Sequence, residues 1–164
     1  MRRSIVAALT LCAALALNAG AWAQQPPPPQ YGSPGVSLEQ AKKAIEAAEA
    51  EAKKNGWLMA IAVVSNGGYL VAFAKMDQTQ FASVQIAQHK AKAAATFRRP
   101  TKAFQDGLAA NPANVYLLTL DGIIASEGGI PIVRDGKIIG AIGCSGGTGA
   151  QDGQVCKAGV DTIK

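Results

Sequence analysis

The stretch that decides the fold is residues 128–147, GGIPIVRDGKIIGAIGCSGG. Two apolar runs flank Asp135–Gly136, and because both of these residues tolerate a positive φ, the pattern is a strong signal for a β-hairpin. The second run continues into Ser145–Gly149 (SGGTG), whose glycines allow a sharp turn before a helix near Gln151. Eleven of the 18 glycines lie within residues 122–159, so this part of the chain holds most of the unusual backbone positions.

The first 23 residues have the pattern of a secretory signal peptide. Arg2–Arg3 form a basic start, residues 5–17 form an apolar run too short to span a bilayer comfortably, and Ala21–Ala23 (AWA) fits the cleavage motif. We therefore predict general secretion with cleavage before Gln24. The expected product is periplasmic or secreted and has no membrane contact after cleavage.

Residues 24–36 are predicted to form a flexible arm, because the four prolines at residues 26–29 favour an extended conformation without a core. The folded domain is then residues 37–164. The net charge of the whole chain is +5, of which Arg2–Arg3 contribute two, and no basic run interleaved with aromatic residues occurs. Nucleic acid is therefore not an expected partner.

The domain is predicted to begin with a helix. Ser37 and Gln40 form a capping box before it, and Asn55–Gly56 provide a left-handed end. Its apolar stripe consists of Leu38, Ala41, Ile45, Ala48 and Ala52.

Apolar runs and turn residues predict five strands and three further helices in the remainder. We expect strands at residues 58–64, 69–74, 115–120, 130–133 and 137–144, and helices at residues 81–97, 101–110 and 151–163. These elements give an α+β fold, an α/β sandwich in which helices flank an antiparallel sheet of about five strands.

His89 is the only histidine, and it lies in the middle of a predicted helix next to a lysine on one side. A solvated surface side chain is the favoured interpretation, and one histidine cannot build a multi-histidine metal site. A single imidazole can still act as an axial ligand of haem iron. Met59, Tyr69 and Met76 are the other conceivable iron ligands, each with packing as its commoner role.

The glycine-rich turn at Ser145–Gly149 can bind an anion, because free N–H groups and the helix dipole converge there. The turn lacks the spacing of a P-loop or of a dinucleotide fingerprint, and Ser145 has no GxSxG context. A nucleotide site and a serine hydrolase are therefore not predicted. A tight turn with close packing is an equally good interpretation.

Cys144 and Cys156 are the two cysteines that remain after signal cleavage. Exported proteins favour paired cysteines, and two thiols are too few for a metal site. A disulfide that links the end of a strand to the last helix is the leading prediction.

Several pieces of the chain resemble the GlcG/HbpS family, also called the haem-degrading or haem-binding domain family. The pieces are residues 60–64 (AIAVV), Gly67–Gly68, Lys75–Asp77, Lys90–Ala91, Phe97, Pro100, Thr101, residues 128–132 (GGIPI), residues 140–147 (GAIGCSGG) and Gln151–Asp152. The resemblance extends over about residues 38–163. It implies a profilin- or PAS-like sandwich that binds haem or a related tetrapyrrole and assembles as an oligomer, commonly an octamer.

The chain departs from the family pattern at several positions. Where relatives show RMDG and KAxTA, this chain has Lys75, Gln78 and Ala93 in place of arginine, glycine and threonine. Lysine keeps the charge of arginine but loses its bidentate fork. In haem-binding relatives the iron ligand is taken to be a histidine on the first helix, and residues 37–56 contain none.

The residues and the resemblance together define a candidate ligand pocket. Lys90 is its best single polar residue, with Asp77 or Glu127 as the expected partner and a solvated lysine as the alternative of equal weight. The candidate ligand-binding residues are Met76, Asp77, Lys90, Phe97, Glu127, Gly128, Gly129, Ser145, Gly146 and Gly147.

The sequence thus predicts an exported, oligomeric protein that binds a small ligand, with haem as the ligand that the resemblance implies. The alternatives are an enzyme of haem breakdown or of small-carboxylate metabolism, and an accessory subunit of a periplasmic oxidation system.

Overall fold

The computed structural model describes residues 29–163, so the predicted signal peptide and the first part of the predicted arm lie outside it. The elements in chain order are β1 (Gln30–Tyr31), α1 (Leu38–Lys54), β2 (Ala60–Ser65), β3 (Leu70–Lys75), α2 (Ala82–Thr96), α3 (Lys102–Ala110), a 3-10 helix (Pro112–Thr119), β4 (Gly129–Arg134), β5 (Lys137–Ser145) and α4 (Gly149–Val160). No helix in the described part of the chain is long and apolar enough to cross a membrane.

The five strands form one sheet organised around β5. This strand pairs antiparallel with β4 on one side and with β2 on the other, and β2 pairs antiparallel with β3. The two-residue β1 pairs in parallel with Lys137 and Ile138, which face β4 on their other side, so β1 lies in line with β2. The outer strands of the sheet are therefore β3 and β4.

Helices cover both faces of the sheet. On one face, α1 and α4 pack on each other and on side chains such as Ile61, Val63 and Ile142. On the other face, the alanines of α2 pack against β2 and β5. A Cβ at Gly143 of β5 would overlap the backbone of α2 at Ala87, so this glycine allows α2 to lie directly on the sheet.

The predicted fold class is confirmed, and the local signals behave as expected. Ser37 Oγ accepts from the Gln40 N–H at 3.2 Å, and Gln40 Oε1 accepts from the Ser37 N–H at 3.0 Å, which completes the capping box of α1. The hairpin turn has φ of 51° at Asp135 and 72° at Gly136, the left-handed values that the sequence predicts.

The predicted strand at residues 115–120 is wrong, because this segment belongs to the 3-10 helix. Asn111 accepts a hydrogen bond from the Ala113 N–H at 2.9 Å, and Pro112 occupies the first turn of that helix. These two residues start a helical turn, although the residues that follow favour strands. Leu117 is buried in this segment, while Val115 is 60% exposed.

The end of the predicted arm also differs from expectation, because its last residues dock on the domain. The Tyr31 hydroxyl donates to the backbone oxygen of Ala95 at 3.2 Å, and the Val36 N–H donates to the Ile139 oxygen at 2.7 Å. Val36 is buried in the core between α1 and the sheet. The stripe of α1 also shifts, since Leu38 is exposed and Ala44 is buried instead.

Candidate functional site

A buried ion pair lies at the centre of the predicted pocket region. Lys90 of α2 is 1% exposed, and its Nζ lies 2.7 Å from Oδ2 of Asp152 on α4. The same ammonium donates to the backbone oxygen of Glu127 at 2.6 Å. The interpretation of Lys90 as a solvated lysine is therefore wrong, because α2 directs it into the interior.

The predicted partners of Lys90 require a correction. Its carboxylate partner is Asp152, not Asp77 or the side chain of Glu127, which contributes its backbone carbonyl instead. The pairing with Asp77 is wrong because Asp77 is exposed in the segment after β3. Lys90 and Asp152 are 62 residues apart in sequence, so only the packing of α2 and α4 near the same part of the sheet brings them together.

Asp152 also holds the glycine-rich turn. Its Oδ1 accepts from the Gly147 N–H at 3.0 Å, while Thr148 caps α4 in a second capping box with Gln151. Because α4 begins at Gly149, Asp152 lies in its first turn, where the helix dipole favours a negative charge. The predicted anion site is thus filled, in part, by a carboxylate of the chain itself.

Two glycines leave the space that the ion pair needs. Gly128 has a φ of +122°, and a Cβ there would lie 2.7 Å from Asp152 Cβ and 3.0 Å from Lys90 Nζ. A Cβ at Gly129 would overlap the backbone of Lys90. The GGIPI segment therefore passes close beneath α2 because these two residues have no side chain.

The start of α3 braces the same segment. The Thr101 N–H donates to the Gly129 oxygen at 2.9 Å, and Thr101 Oγ1 accepts from the Gly129 N–H at 2.9 Å. Gln105 Oε1 accepts from the Glu127 N–H at 2.9 Å. These three hydrogen bonds hold residues 127–129 against the start of α3.

Burial raises the pKa of the Asp152 carboxyl above its ordinary value, and the hydrogen bonds from Lys90 and Gly147 act in the opposite direction. Lys90 and Asp152 are both almost completely buried. Their charged atoms are occupied by each other and by backbone groups, so a ligand could reach them only if α2, α4 or the turn moved. The pair therefore connects α2, α4 and the glycine-rich turn and stabilises their packing.

The predicted Cys144–Cys156 disulfide is present, with 5.7 Å between the two Cα atoms. Cys144 lies near the end of β5, and Cys156 lies one turn after Asp152 on α4. Cys156 Sγ is also 3.1 Å from the backbone oxygen of Gly128. The disulfide therefore closes the loop that contains the glycine-rich turn and fixes α4 beside the ion pair.

The remaining predicted site residues lie in three different places. The Ser145 hydroxyl donates to Ser83 Oγ at 3.1 Å in a buried contact between β5 and α2. Met76 packs against the core between the sheet and α1 and α4. Phe97, at the end of α2, makes an edge-to-face contact with Phe104, with ring centroids 5.5 Å apart. Met76 and Phe97 therefore have packing roles.

His89 lies outside the ion-pair cluster, although it precedes Lys90 in sequence. It is exposed and borders a shallow groove of about 300 Å³, which is lined by Val64, Gly68, Leu70, Gln88, His89 and Lys92. Among residues 29–163, no three His, Cys, Asp or Glu side chains are grouped so that they could hold a metal ion.

The arrangement of these motifs agrees with comparisons to known proteins. A family model described as haem degrading protein HbpS-like matches residues 36–161. The chain belongs to the HbpS-like family. This result confirms the resemblance on which the sequence prediction rested, and the matched range contains every element from α1 to α4.

Individual relatives support the same assignment. Protein GlcG of Escherichia coli K12 is 43% identical over 110 residues, which are 67% of this chain and 81% of GlcG. The crystal structure of HbpS is similar with a TM-score of 0.74 and 30% sequence identity, over 81% of this chain and 93% of HbpS. A crystal structure of a PduOC–haem complex shares the fold, with a TM-score of 0.72 and 22% identity, over 79% of this chain and 96% of that one.

Sequence reasoning missed Asp152 and Thr101 as residues of the buried cluster. A signal was present, since Lys90–Ala91, Thr101 and Gln151–Asp152 are all among the pieces that carry the HbpS-like resemblance. When a charged residue in one of these segments has no oppositely charged neighbour on its own helix, it is a candidate for an ion pair with another helix.

Proposed function

We propose that this protein is an exported haem-binding protein. The observation that carries the proposal is the match of an HbpS-like, haem-degrading family model to nearly all of the described domain. The similarity to HbpS and the shared fold of the PduOC–haem complex support the same ligand.

Of the two regions described above, the ion-pair cluster and the groove beside His89, only the groove is accessible to a ligand. The ion-pair cluster does not fit, because Lys90 and Asp152 are sealed and their polar atoms are satisfied. The groove beside His89 fits better, because it combines an exposed imidazole with the apolar side chains of Val64 and Leu70. Imidazole is a common axial ligand of haem iron.

We also propose that the protein is exported. The segment that predicts export, residues 1–23, lies outside the described residues. The signal-peptide pattern of residues 1–23 supports export, and so does the Cys144–Cys156 disulfide, because structural disulfides persist in oxidising compartments. Intact-mass measurement of the periplasmic protein should give a chain that begins at Gln24. Retention of Met1 in that fraction would contradict this part of the proposal.

The test of haem binding is a titration of the exported protein with hemin. We expect a Soret band that differs from that of free hemin and saturates near one hemin per chain. A parallel titration with metal-free protoporphyrin separates iron ligation from stacking of the ring. If no saturable spectral change occurs with hemin, the proposed function is wrong.

A haem-degrading enzyme is the second candidate, and the description of the matching family model as haem degrading favours it. The test supplies hemin-loaded protein with oxygen and a reductant. Loss of the Soret band with release of iron or a linear tetrapyrrole supports this candidate, and a stable Soret band contradicts it.

Self-association is also proposed for this protein. Exposed apolar side chains are concentrated on the 3-10 helix and the residue after it: Val115, Tyr116, Leu118 and Leu120. Several exposed apolar side chains on one short segment are typical of a contact region, and the family resemblance implies oligomers. Light scattering at micromolar concentration should report several subunits, and a monomer over a wide concentration range would contradict the proposal.

A further inference from the structure

We propose that the outer edge of β3 is an interface with a second copy of this chain, in which the two β3 strands pair antiparallel about a two-fold axis. This inference rests on the proposed self-association and adds the surface, the register and the residues that meet. It depends neither on haem nor on the 3-10 helix, whose exposed apolar side chains offer a separate contact region.

The outer edge of β3 has free backbone hydrogen-bonding groups. The Met76 N–H donates to the Met59 oxygen at 2.9 Å, so in this antiparallel ladder Ala72 and every second residue after it bond to β2. The N–H and C=O groups of Phe73 and Lys75 therefore point away from β2. In the described part of the chain, no strand pairs with that side of β3. These groups are available to another strand.

The other outer strand, β4, is closed to such pairing. The N–H and C=O groups of Gly129 are both bonded to Thr101, just before α3. Pro131, two residues further on, has no N–H to donate. Proline and a covering segment are common protections of an edge strand. Of the two outer strands in the described sheet, only β3 therefore has an open edge.

Exposed apolar side chains lie at both ends of the open edge. Tyr69 and Leu70 at the start of β3 are 79% and 51% exposed, and Phe81, shortly after its end, is 88% exposed. The Lys75 ammonium lies 5.7 Å from the centroid of the Phe81 ring, which places this ring beside the strand. A two-fold axis brings the start of one β3 next to the end of the other. The apolar groups of the two copies then meet, so the surface is self-complementary.

The exposed aromatic rings give a large part of the area that a specific interface needs. The rings of Tyr69 and Phe81 from both copies would together bury on the order of 600 Å². The smallest stable interfaces bury about 1,200 Å² in total. The rings thus supply about half of that area, and Leu70 and the paired backbones add to it.

Charge selects the register of the pairing. Phe73 packs with the cluster beneath α2, and Lys75 lies two residues on, so both side chains stand on the same side of the sheet. When Phe73 faces Lys75 of the partner subunit, the free N–H and C=O groups of both residues are used. Ala74 then lies on the two-fold axis, and each lysine lies beside an aromatic ring. A shift by two residues would put Lys75 opposite its own copy or opposite Val71, which the ladder with β2 leaves unpaired.

The same register brings an acidic group to the groove beside His89. Leu70 lines this groove together with Lys92, and none of its lining residues is acidic. Asp77 is exposed directly after β3, so Asp77 of the partner subunit comes next to the start of β3 and reaches the rim of the groove. This charge complementarity, together with the self-complementary apolar ends, favours a second copy over an unrelated peptide as the occupant of the edge.

The first experiment places a cysteine on the two-fold axis. In Ala74→Cys the two new thiols lie on opposite residues that share no hydrogen bonds, with Cα atoms about 4.5 Å apart, a distance that permits a disulfide. Ala72→Cys is the matched control, because Ala72 and Ala74 pack on the same side of the sheet. In the proposed register Ala72 lies about 14 Å from its own copy. Both exported variants are oxidised and analysed by non-reducing electrophoresis and intact mass.

We expect a covalent dimer for most of the Ala74→Cys protein and none for Ala72→Cys. Equal crosslinking of the two variants would show unspecific contact and overturn the proposed pairing. Absence of crosslinking in Ala74→Cys, while wild type self-associates, would also overturn it.

The second experiment removes the backbone donor. Lys75→Pro deletes the outward N–H and leaves the ladder with β2 intact, whereas Lys75→Ala removes the same side chain and keeps that N–H. By light scattering, Lys75→Pro should have at most about half the subunits of wild type, because one of its interfaces is lost. Lys75→Ala should keep the assembly. Phe81→Ser should raise the dissociation constant at least about tenfold, because the ring is an exposed aromatic anchor.

The outcomes separate this inference from the proposed self-association. Circular dichroism checks that each variant is folded, and if Lys75→Pro does not fold, the two cysteine variants decide. If Leu118→Ser in the 3-10 helix dissociates the assembly while Lys75→Pro and Phe81→Ser do not, the inference is wrong and self-association stands. A wild-type monomer at all concentrations would refute both and leave the edge to a segment of another protein.

Discussion

His89 and Lys90 are consecutive residues of α2, and they belong to two regions with opposite properties. The Lys90 ammonium is bonded to Asp152 and to the Glu127 carbonyl, and the side chain is 1% exposed. Around His89, the groove is open and its wall is polar. A step of one residue rotates the side chain by about 100° around a helix. The same helix can therefore direct Lys90 into the interior and His89 to the accessible surface.

Polar residues of one helix can therefore have two different roles. The Lys90 region holds elements together, since it connects α2 to α4 and to the segment before β4. The His89 region makes few contacts that stabilise the fold, so its residues are free to serve a ligand. Substitutions in the first region should therefore change stability, and those in the second should change binding alone.

The largest effect is expected for Lys90→Met, which leaves the Asp152 carboxylate buried without its partner. The free energy of unfolding should fall by about 3–5 kcal/mol, measured by urea denaturation. The double variant Lys90→Met with Asp152→Leu should recover most of the loss, because it removes both charges. If the single variant were as stable as wild type, the Lys90–Asp152 pair would not stabilise the packing of α2 and α4.

A smaller effect is expected for the disulfide next to the same region. Replacement of Cys144 and Cys156 by alanine should lower the free energy of unfolding by about 2–3 kcal/mol, because the crosslink restricts the unfolded chain. Urea denaturation of the oxidised wild type and of the double variant measures the difference. Thiol titration of the unreduced, denatured wild type should find no free thiol in residues 24–164, and two reactive thiols would contradict the disulfide.

The pH dependence of stability should distinguish Asp152 from an exposed aspartate. Because the pKa of Asp152 is raised in the folded protein, the folded state binds the proton more readily than the unfolded chain. The contribution of this group to stability therefore increases as the pH falls through its folded pKa and is complete below its unfolded value. Relative to Asp152→Asn, wild type should gain stability from pH 7 towards acid.

The matched control for that measurement is Asp161→Asn, because Asp161 is exposed and paired with Lys157 on the same helix. The same series of pH values is measured on this control variant. An equal trend for both aspartates would show that burial does not set the behaviour of Asp152.

The smallest effect is expected in the groove. His89→Ala and Lys92→Gln should each change the free energy of unfolding by no more than about 0.5 kcal/mol, because both side chains are exposed. A loss as large as that of Lys90→Met would remove the distinction between the two regions.

Sequence reasoning predicted the parts of the fold that short-range signals control. The Ser37 capping box, the Asp135–Gly136 turn and the Cys144–Cys156 disulfide are all present. The apolar residues after Val115 were misread as a strand, because their composition favours strands while Asn111 and Pro112 begin a 3-10 helix. The composition of a segment shows its preference for helix or strand, but the residues that precede it can decide which structure forms.

The candidate site was less predictable because its partners are distant in sequence. The sequence predicted Lys90 as the best polar residue of a ligand pocket, but its burial and its pairing with Asp152 depend on how α2 and α4 pack on the sheet. The sequence left a solvated lysine as an alternative of equal weight. The groove could not be predicted from any motif, because it results from the part of β3 that α2 leaves uncovered.

The central position of β5 has a consequence for the order in which the chain can fold. β5 contacts β1, β2 and β4, yet it is the last strand to be synthesised. A chain that emerges from its N-terminus therefore cannot close the sheet until Ser145 has emerged, and β2, which also pairs with β3, must wait for its second partner about 80 residues later. Such long-range pairing slows folding. Delayed closure would keep the emerging chain incompletely folded, because the residues before Lys137 lack the strand that completes the sheet.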